Sequence, residues 1–560
     1  METNHQRNMT NGAFNGTLAR SWFTSPYGIL LVSSIVILAW YINAPKLILI
    51  GNTVDDGFYY FKIALNVVNQ GKFSFDGIHE TNGFHPLWLL VLTISYWLSS
   101  PNEIEALTIA YSLQSVFLVA SILLIYYCSR RTGTAVSAWF AIAVISWPRL
   151  IAFTMKGMET GLYVLLILLF IAHAQRCELF TSHRTSRTSL IIAGALLGLV
   201  FLVRLDSVFI ILCALGFYAL SCYQNPAGLK AGISRFLVLS GSMGILILPY
   251  FIWNMSTFHH LLSTSGSLKR SFPYPGLNLD SIREFPEAGL LIILIAVVVA
   301  SALIRILDSS RRSVSQPDPM APLLLIVGGG CLLHFLDSIL FMRWGALKWH
   351  FTIYGVPAAL GGAWLMTRSH EWLPVWLPAR SRFNAIVLSC AATVLAIAWG
   401  FSVVRYQGKS EGWKAQGYVA AQWVNDHVPS DGRLGMRDAG TFGYFTQQPT
   451  INLDGLVNNY EFAEFLKNGR IGEYIKEERI RYLVFHAAQE EDLESNCREL
   501  LFSRGLGNGQ GEVIYRKSYI EPGIGNLIYV IVKILNYGEP TKDTIGPAHT
   551  GKTTLTLDAG

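Results

Sequence analysis

Along the first 404 residues, apolar runs of 15 to 24 residues alternate with short polar stretches. An α-helix rises about 1.5 Å per residue, so crossing roughly 30 Å of hydrocarbon takes about 20 apolar residues. That measure predicts eleven membrane-spanning helices, at 27–50, 105–127, 134–150, 160–175, 189–203, 205–222, 234–253, 288–307, 320–342, 350–367 and 383–404. The runs at 160–175 and 189–203 are short, and are expected to tilt or to pack as half-helices. The run PLWLLVLTISYWLSS (86–100) is apolar but short for a crossing, and is expected to form an interfacial or re-entrant helix. Residues 1–26 are polar and lack the pattern of a signal peptide, so the first span reads as a retained anchor behind a cytoplasmic segment.

The pattern changes near residue 405. WKAQGYVAAQWVNDH reads as an amphipathic helix followed by a turn and a strand, and PTINLDGLVN as a strand and a turn. YEFAEFLKNGRIGEYIKEERIRYLVFH reads as two short helices and a further strand. Residues 405–535 are therefore expected to fold as an α/β domain with its own core. The stretch 536–560, rich in Gly, Thr, Pro and Lys, is expected to be disordered. The predicted fold class is an all-α polytopic membrane protein carrying a C-terminal α/β domain.

Composition agrees with this division. The chain is 52% hydrophobic and only 14% charged, against about a quarter charged in soluble domains. Lys and Arg collect on the cytoplasmic side of membrane proteins. With the N-terminus inside, the inner loops hold fifteen such residues, among them Arg130, Arg131, Arg311 and Arg312, and the outer loops ten. That orientation places the first loop, 51–86, and the domain after 404 on the outer face. The net charge of +6 follows from the basic inner loops and gives no reason to expect nucleic acid. Six of the seven cysteines lie in or beside spans and Cys497 stands alone, which implies no disulfide framework. No Cys/His cluster has zinc-ligand spacing, and the adjacent His259 and His260 read as loop residues. GPAHTGKT (546–553) fits the phosphate-loop pattern, but only seven residues follow it, too few for the helix that would hold a phosphate; it reads as a chance match.

Candidate chemistry lies at the outer ends of the spans. NTVDDGFYYFKIA places Asp55 and Asp56 directly after the first span, at the start of a helix closed by Gly71. The same loop carries Asp76, Asn82, His85 and Trp88; MKGMETGLY adds Lys156 and Glu159, and RLD adds Arg204 and Asp206. Later outer segments supply Lys269 and Arg270, then Arg343, Lys348 and His350. Ionisable groups at membrane depth are costly unless paired or facing a watery cavity, so they mark a candidate site. Bland readings compete with this one. Arg204 and Asp206 would satisfy each other, and Lys156 would snorkel to the interface. Trp88, Trp147, Trp344 and Trp349 would form an aromatic belt, with Phe58–Phe61 packing at the membrane interface.

The stretch TVDDGFYYFKIALNVVNQGKFSFDGIHETNGFHPLW (53–88) closely resembles the first outer loop of bacterial membrane glycosyltransferases of the GT-C superfamily. KGMETGLY, RLD and NLDGLVN look like features of the same branch. Relatives include protein O-mannosyltransferases, lipid A aminoarabinose transferases and mycobacterial arabinofuranosyltransferases. The resemblance implies a multi-pass protein of the bacterial inner membrane. It would move a sugar, with inversion, from a polyprenyl-phosphate donor to a hydroxyl on a glycan, lipid or protein. It implies Asp55 as catalytic base with Asp56 beside it. Lys269, Arg270, Arg343 and Lys348, in falling order, would steady the departing phosphate, and Asn82, His85, Glu159 and Arg204 would complete the substrate site. A divalent cation is compatible with the paired acids. A lipid or glycan transporter would instead carry charges near the midplane and related halves, and a glycan-binding scaffold would not need the acids.

Overall fold

Five helices among the described residues are long and apolar enough to cross a membrane: Glu103–Thr132, Leu205–Tyr223, Leu229–Phe258, Ala288–Asp308 and Met320–Phe341. The structure, a computed structural model, describes residues 43–182, 185–223, 229–279, 287–312, 318–344, 347–372, 412–487, 510–521 and 525–537, with 35–36, 39–40 and 500. The five helices carry the expected spans 105–127, 205–222, 234–253, 288–307 and 320–342. Pro86–Ser99, Thr160–Arg176 and Arg187–Val203 are shorter apolar helices. At 17 residues each, the last two rise about 25 Å. Two expected spans are interrupted. The run 134–150 stops at Ile145, and Pro148, lacking an amide to continue the ladder, opens a separate helix to Thr154. The run 350–367 begins as a 3₁₀ turn, Lys348–Tyr354, before the helix Gly355–Trp372. The expected segment 1–26, most of span 27–50, span 383–404 and nearly all of the tail 536–560 lie outside the described residues.

The C-terminal region forms a five-stranded sheet. Its strands are β1 (Leu434–Met436), β2 (Thr450–Asn452), β3 (Tyr482–Ala487), β4 (Gln510–Glu521) and β5 (Gly525–Asn536), in the order β2-β1-β3-β5-β4. β1 runs parallel to β2 and β3, and β5 runs antiparallel to β3 and β4. Side chains alternate across a strand, and here both faces are buried. Leu483, Phe485, Val530 and Val532 join Phe462 and Ile475, from the helices Tyr460–Lys467 and Ile471–Glu477, in a local core. Tyr482, Val484, Tyr529 and Ile531 face the other way, with Val424 of helix Trp413–His427, into the core shared with the membrane helices. The domain is thus packed into the protein through one face of its sheet.

The segment 53–88 makes the joint. Helix Asp55–Gln70 ends at Gly71, whose φ of 69° closes it in the left-handed region. Phe58 lies with its ring 5.4 Å from Tyr444 and 5.9 Å from Phe445. Lys62 donates to the carbonyls of Tyr444 and Thr446 at 3.1 and 3.0 Å, where a helix end favours a cation. The aromatic run 58–61 therefore packs against the C-terminal domain, which corrects the expected membrane-interface role. Trp88 also departs from the expected belt. It is fully buried, and its Nε1 donates to the Gly157 carbonyl at 3.1 Å. Trp147 and Trp344 are exposed.

Gly83 meets the domain so closely that a Cβ there would sit 1.8 Å from the Leu456 carbonyl oxygen. Gly83→Ala should therefore push the 452–458 loop away, with an overpacking cost of about 1–3 kcal/mol. Hydrogen exchange across that loop should accelerate. Exchange equal to wild type would show that the contact is not a tight one.

Candidate functional site

The hairpin Met155–Glu159 is held from several directions. Asn52 donates to the Met155 carbonyl at 2.8 Å, and the Val54 amide donates to the Lys156 carbonyl at 3.0 Å. Gln114 accepts from the Gly157 amide at 3.1 Å and donates to the Met158 carbonyl at 2.6 Å. Gly157 turns at φ 85°, against Thr53 and Phe61. This fixes Glu159, whose Oε1 accepts from Arg204 Nη1 at 2.5 Å. Arg204, 3% exposed, also grips Asp206, with Nε to Oδ1 at 3.0 Å and Nη2 to Oδ2 at 2.5 Å. The chain of contacts continues from Asp206 Oδ2 to His334 Nε2 at 3.3 Å, and from His334 Nδ1 to the Tyr354 hydroxyl at 2.8 Å. Arg204 and Asp206 do pair, and the pair belongs to a larger buried network.

Above that network lies a cavity of about 60 Å³, room for a few water-sized groups. Asp56, His85, Glu159, Ser265, Lys269 and His350 supply its polar lining, and Tyr59, Tyr60, Phe84, Met158, Trp349 and Leu456 its walls. Lys269 Nζ stands 3.8 Å from Asp56 Oδ2, and both side chains keep some exposure, 17% and 22%. Burial raises the Asp56 carboxyl, while Lys269 opposes the rise. Burial lowers His85 despite the nearby Glu159, whose Oε1 is 3.9 Å from His85 Nε2. Asn82 does not line the cavity. Its Oδ1 accepts from the Thr264 amide and hydroxyl at 2.9 and 2.8 Å, anchoring the short helix Thr264–Lys269 that carries Lys269.

Asp55 and Asp56 point to different partners, as successive helical residues must, about 100° apart. Asp55 Oδ2 accepts from the Gly440 amide at 2.7 Å, and Oδ1 from the Thr441 amide and hydroxyl at 2.8 and 2.9 Å. Burial pushes the Asp55 carboxyl up to about 8, with Asp438 adding to the rise and the three donors opposing it. Both acids are raised and both are half-buried, so neither titration nor exposure distinguishes them; the cavity lining, which includes Asp56 and not Asp55, does. With Asp55 turned to the C-terminal domain and Asp56 to Lys269, the two carboxylates do not face one common point.

Three of the expected cations lie elsewhere. Arg270 pairs with Asp337 at 3.1 Å and is not part of the cavity lining. Arg343 is exposed and lines a separate groove with Tyr274 and Leu277. Lys348 is exposed at the start of its 3₁₀ turn, away from the lining. Residues not expected at the site do reach it. Tyr59 joins the lining and donates to Asp454 Oδ2 at 3.2 Å while accepting from Asn452 at 3.0 Å. Leu456 and Asp454 come from NLDGLVN, which supplies a wall. His334 stands in the middle of an apolar run, and such a placement was its available signal.

Comparison with known proteins follows the same division. The C-terminal residues 406–523 match a family described as a domain of unknown function, DUF8728. No curated protein matches the chain. Among solved structures, ArnT from Cupriavidus metallidurans bound to undecaprenyl phosphate aligns over 92% of this chain and 99% of its own, at 12% identity and a TM-score of 0.52. Its apo state aligns over 92% and 98%, at 12% identity and a TM-score of 0.50. The chain has the fold of ArnT. The oligosaccharyltransferase AglB from Archaeoglobus fulgidus, in complex with an inhibitory peptide and a dolichol-phosphate, aligns over 90% and 74%, at 13% identity and a TM-score of 0.48. On the ArnT fold, the helical part and the C-terminal sheet domain are both covered by the alignment.

The network under the cavity yields a stability test. Arg204→Met removes the charge shared by Glu159 and Asp206 and leaves two buried carboxylates uncompensated, which should cost about 3–5 kcal/mol. Adding Glu159→Gln and Asp206→Asn should recover much of that loss in thermal melts of the detergent-purified protein. A single variant that melts like wild type would mean that the guanidinium does not hold this network together.

Proposed function

We propose that the protein is a membrane glycosyltransferase that moves a sugar from a polyprenyl-phosphate donor to an acceptor hydroxyl at the outer face of the bacterial inner membrane. The carrying observation is the facing pair Asp56 and Lys269, 3.8 Å apart across a polar cavity on a chain with the ArnT fold. A sugar phosphodiester already has a good leaving group, so the remaining demand is a base for the acceptor. Asp56 takes the hydroxyl proton as the acceptor oxygen attacks the anomeric carbon. The bond from that carbon to the phosphate oxygen breaks, its electron pair leaves with polyprenyl phosphate, and one displacement inverts the anomeric centre. The departing phosphate gains negative charge, which Lys269 offsets.

The roles of the other residues follow from their places. Asp55 anchors the C-terminal domain, so that Leu456 and Asp454 complete the site. Arg204 fixes Glu159, which faces the acceptor side with His85, and Asn82 positions the Lys269 helix. We further propose eleven spans, a first outer loop at 51–86 and an extracytoplasmic domain at 405–535. The undecaprenyl phosphate on the ArnT structure supports a lipid-linked donor, and the acceptor is a glycan, lipid or protein hydroxyl.

Deleting the gene should make one polyprenyl-phosphate sugar accumulate in membrane lipid extracts while one surface glycan loses that sugar. Mass spectrometry of both fractions would identify donor and acceptor together. Unchanged lipid-linked sugars and an unchanged surface would contradict the transferase reading.

A further inference from the structure

Beneath the cavity, packing brings together three residues from distant parts of the chain: Asp206, His334 and His350. The approach is forced by Gly330, where a Cβ would come within 2.5 Å of Ile210 Cγ1 and 2.6 Å of Ile210 Cα. His334 lies four residues after Gly330, and Asp206 four before Ile210. One helical turn along each of two antiparallel segments therefore places them side by side. The 3₁₀ turn Lys348–Tyr354 then adds His350. Each of the three offers a ligand atom, and these atoms all lie within 4.8 Å of one another.

We propose that Asp206, His334 and His350 form a binding site for a divalent first-row transition metal of the zinc class. Asp206 Oδ2 and His334 Nε2 are 3.3 Å apart; two ligands each about 2.0–2.1 Å from zinc stand ~3.4 Å apart at a tetrahedral angle. Outer partners orient two of the three ligands, as at metal sites generally. His334 has its other ring nitrogen 2.8 Å from the Tyr354 hydroxyl, leaving Nε2 for the ion. Arg204 fixes the Asp206 carboxylate from one side, with Nε to Oδ1 at 3.0 Å and Nη2 to Oδ2 at 2.5 Å, so that Oδ2 would be shared between the guanidinium and the ion. An independent observation points to a missing partner: His350 Nδ1 is buried with no hydrogen bond, and so is Glu159 Oε2 beside the network. Arg204 is offset by both Glu159 and Asp206, so the cluster keeps one formal negative charge toward a cation. The cavity they enclose is about 10 Å³, room for one water-sized particle. Two imidazoles with one carboxylate select a transition metal over magnesium or calcium. His350 lines this small cavity and the larger one above it. A bound ion would thus set the ring and its neighbour Trp349 in the floor of the upper site, whatever reaction that site performs.

The test uses full-length protein purified in detergent, stripped with chelator, and titrated with Zn²⁺ or with Co²⁺ as a spectroscopic probe. Wild type should retain one equivalent of zinc after dialysis, give the intense visible bands of a low-coordinate cobalt site, and be indifferent to excess Mg²⁺. His350→Ala should lose the cobalt bands and the retained zinc while melting like stripped wild type. Tyr354→Phe keeps every ligand and removes only the partner of His334, so it should weaken zinc about 10–100-fold. Wild type that retains no zinc would overturn the proposal. So would His350→Ala and Tyr354→Phe proteins that bind zinc as tightly as wild type.

Discussion

A guanidinium cannot be deprotonated in a protein, and this chain buries one. Arg204 is 3% exposed at the end of an apolar helix, and it is tolerated because Glu159 and Asp206 each meet it directly. That requirement organises what surrounds it. Glu159 must sit on a hairpin rigid enough to reach the cation, hence the contacts from Asn52, Gln114 and Trp88 to residues 155–158. Asp206 must be held at the mouth of its helix, which brings it to His334. The cavity above inherits its floor from these demands, with Glu159 serving both as counter-ion and as lining.

The two acids of the first loop divide the labour between fold and site. Asp55 spends its oxygens on the amides that begin the short helix Gly440–Phe445 and on the Thr441 hydroxyl. Asp56, one residue on, is left facing Lys269. The C-terminal domain is consequently part of the cavity's construction: the same docking that satisfies Asp55 brings Leu456 to the wall and Asp454 to the hydroxyl of the lining residue Tyr59. Loosening the domain should disturb the site even though most of its polar groups belong to the helical part.

Much of this was legible in the sequence where a rule of membrane chemistry applied. Asp56, His85, Glu159, Arg204 and Lys269 stand out because ionisable residues beside apolar runs need a reason, and the spans at 105–127 and 320–342 follow from length and hydropathy. What could not be read depends on distant partners. The different fates of Asp55 and Asp56 are decided by Gly440 and Thr441, 385 and 386 residues away. Trp88 satisfies an aromatic belt and a buried core equally well in one dimension, and only Gly157 settles it. Pro148 was visible as a helix breaker inside the run 134–150, and local chemistry prevailed there over hydropathy. Arg270 looked as free as Lys269 until Asp337 supplied its partner.

The assignment of chemistry to Asp56 and anchoring to Asp55 is open to one direct comparison. Each aspartate is changed to Asn, and sugar transfer is measured with purified protein in lipid vesicles, alongside protease resistance of the C-terminal domain. Asp56→Asn should keep the domain protected and lose roughly a hundredfold to ten-thousandfold in rate, the usual range for a general base. Asp55→Asn places an amide against a backbone donor, so the domain should loosen, with any loss of rate following that loosening. Normal turnover by the Asp56→Asn protein would contradict the assignment.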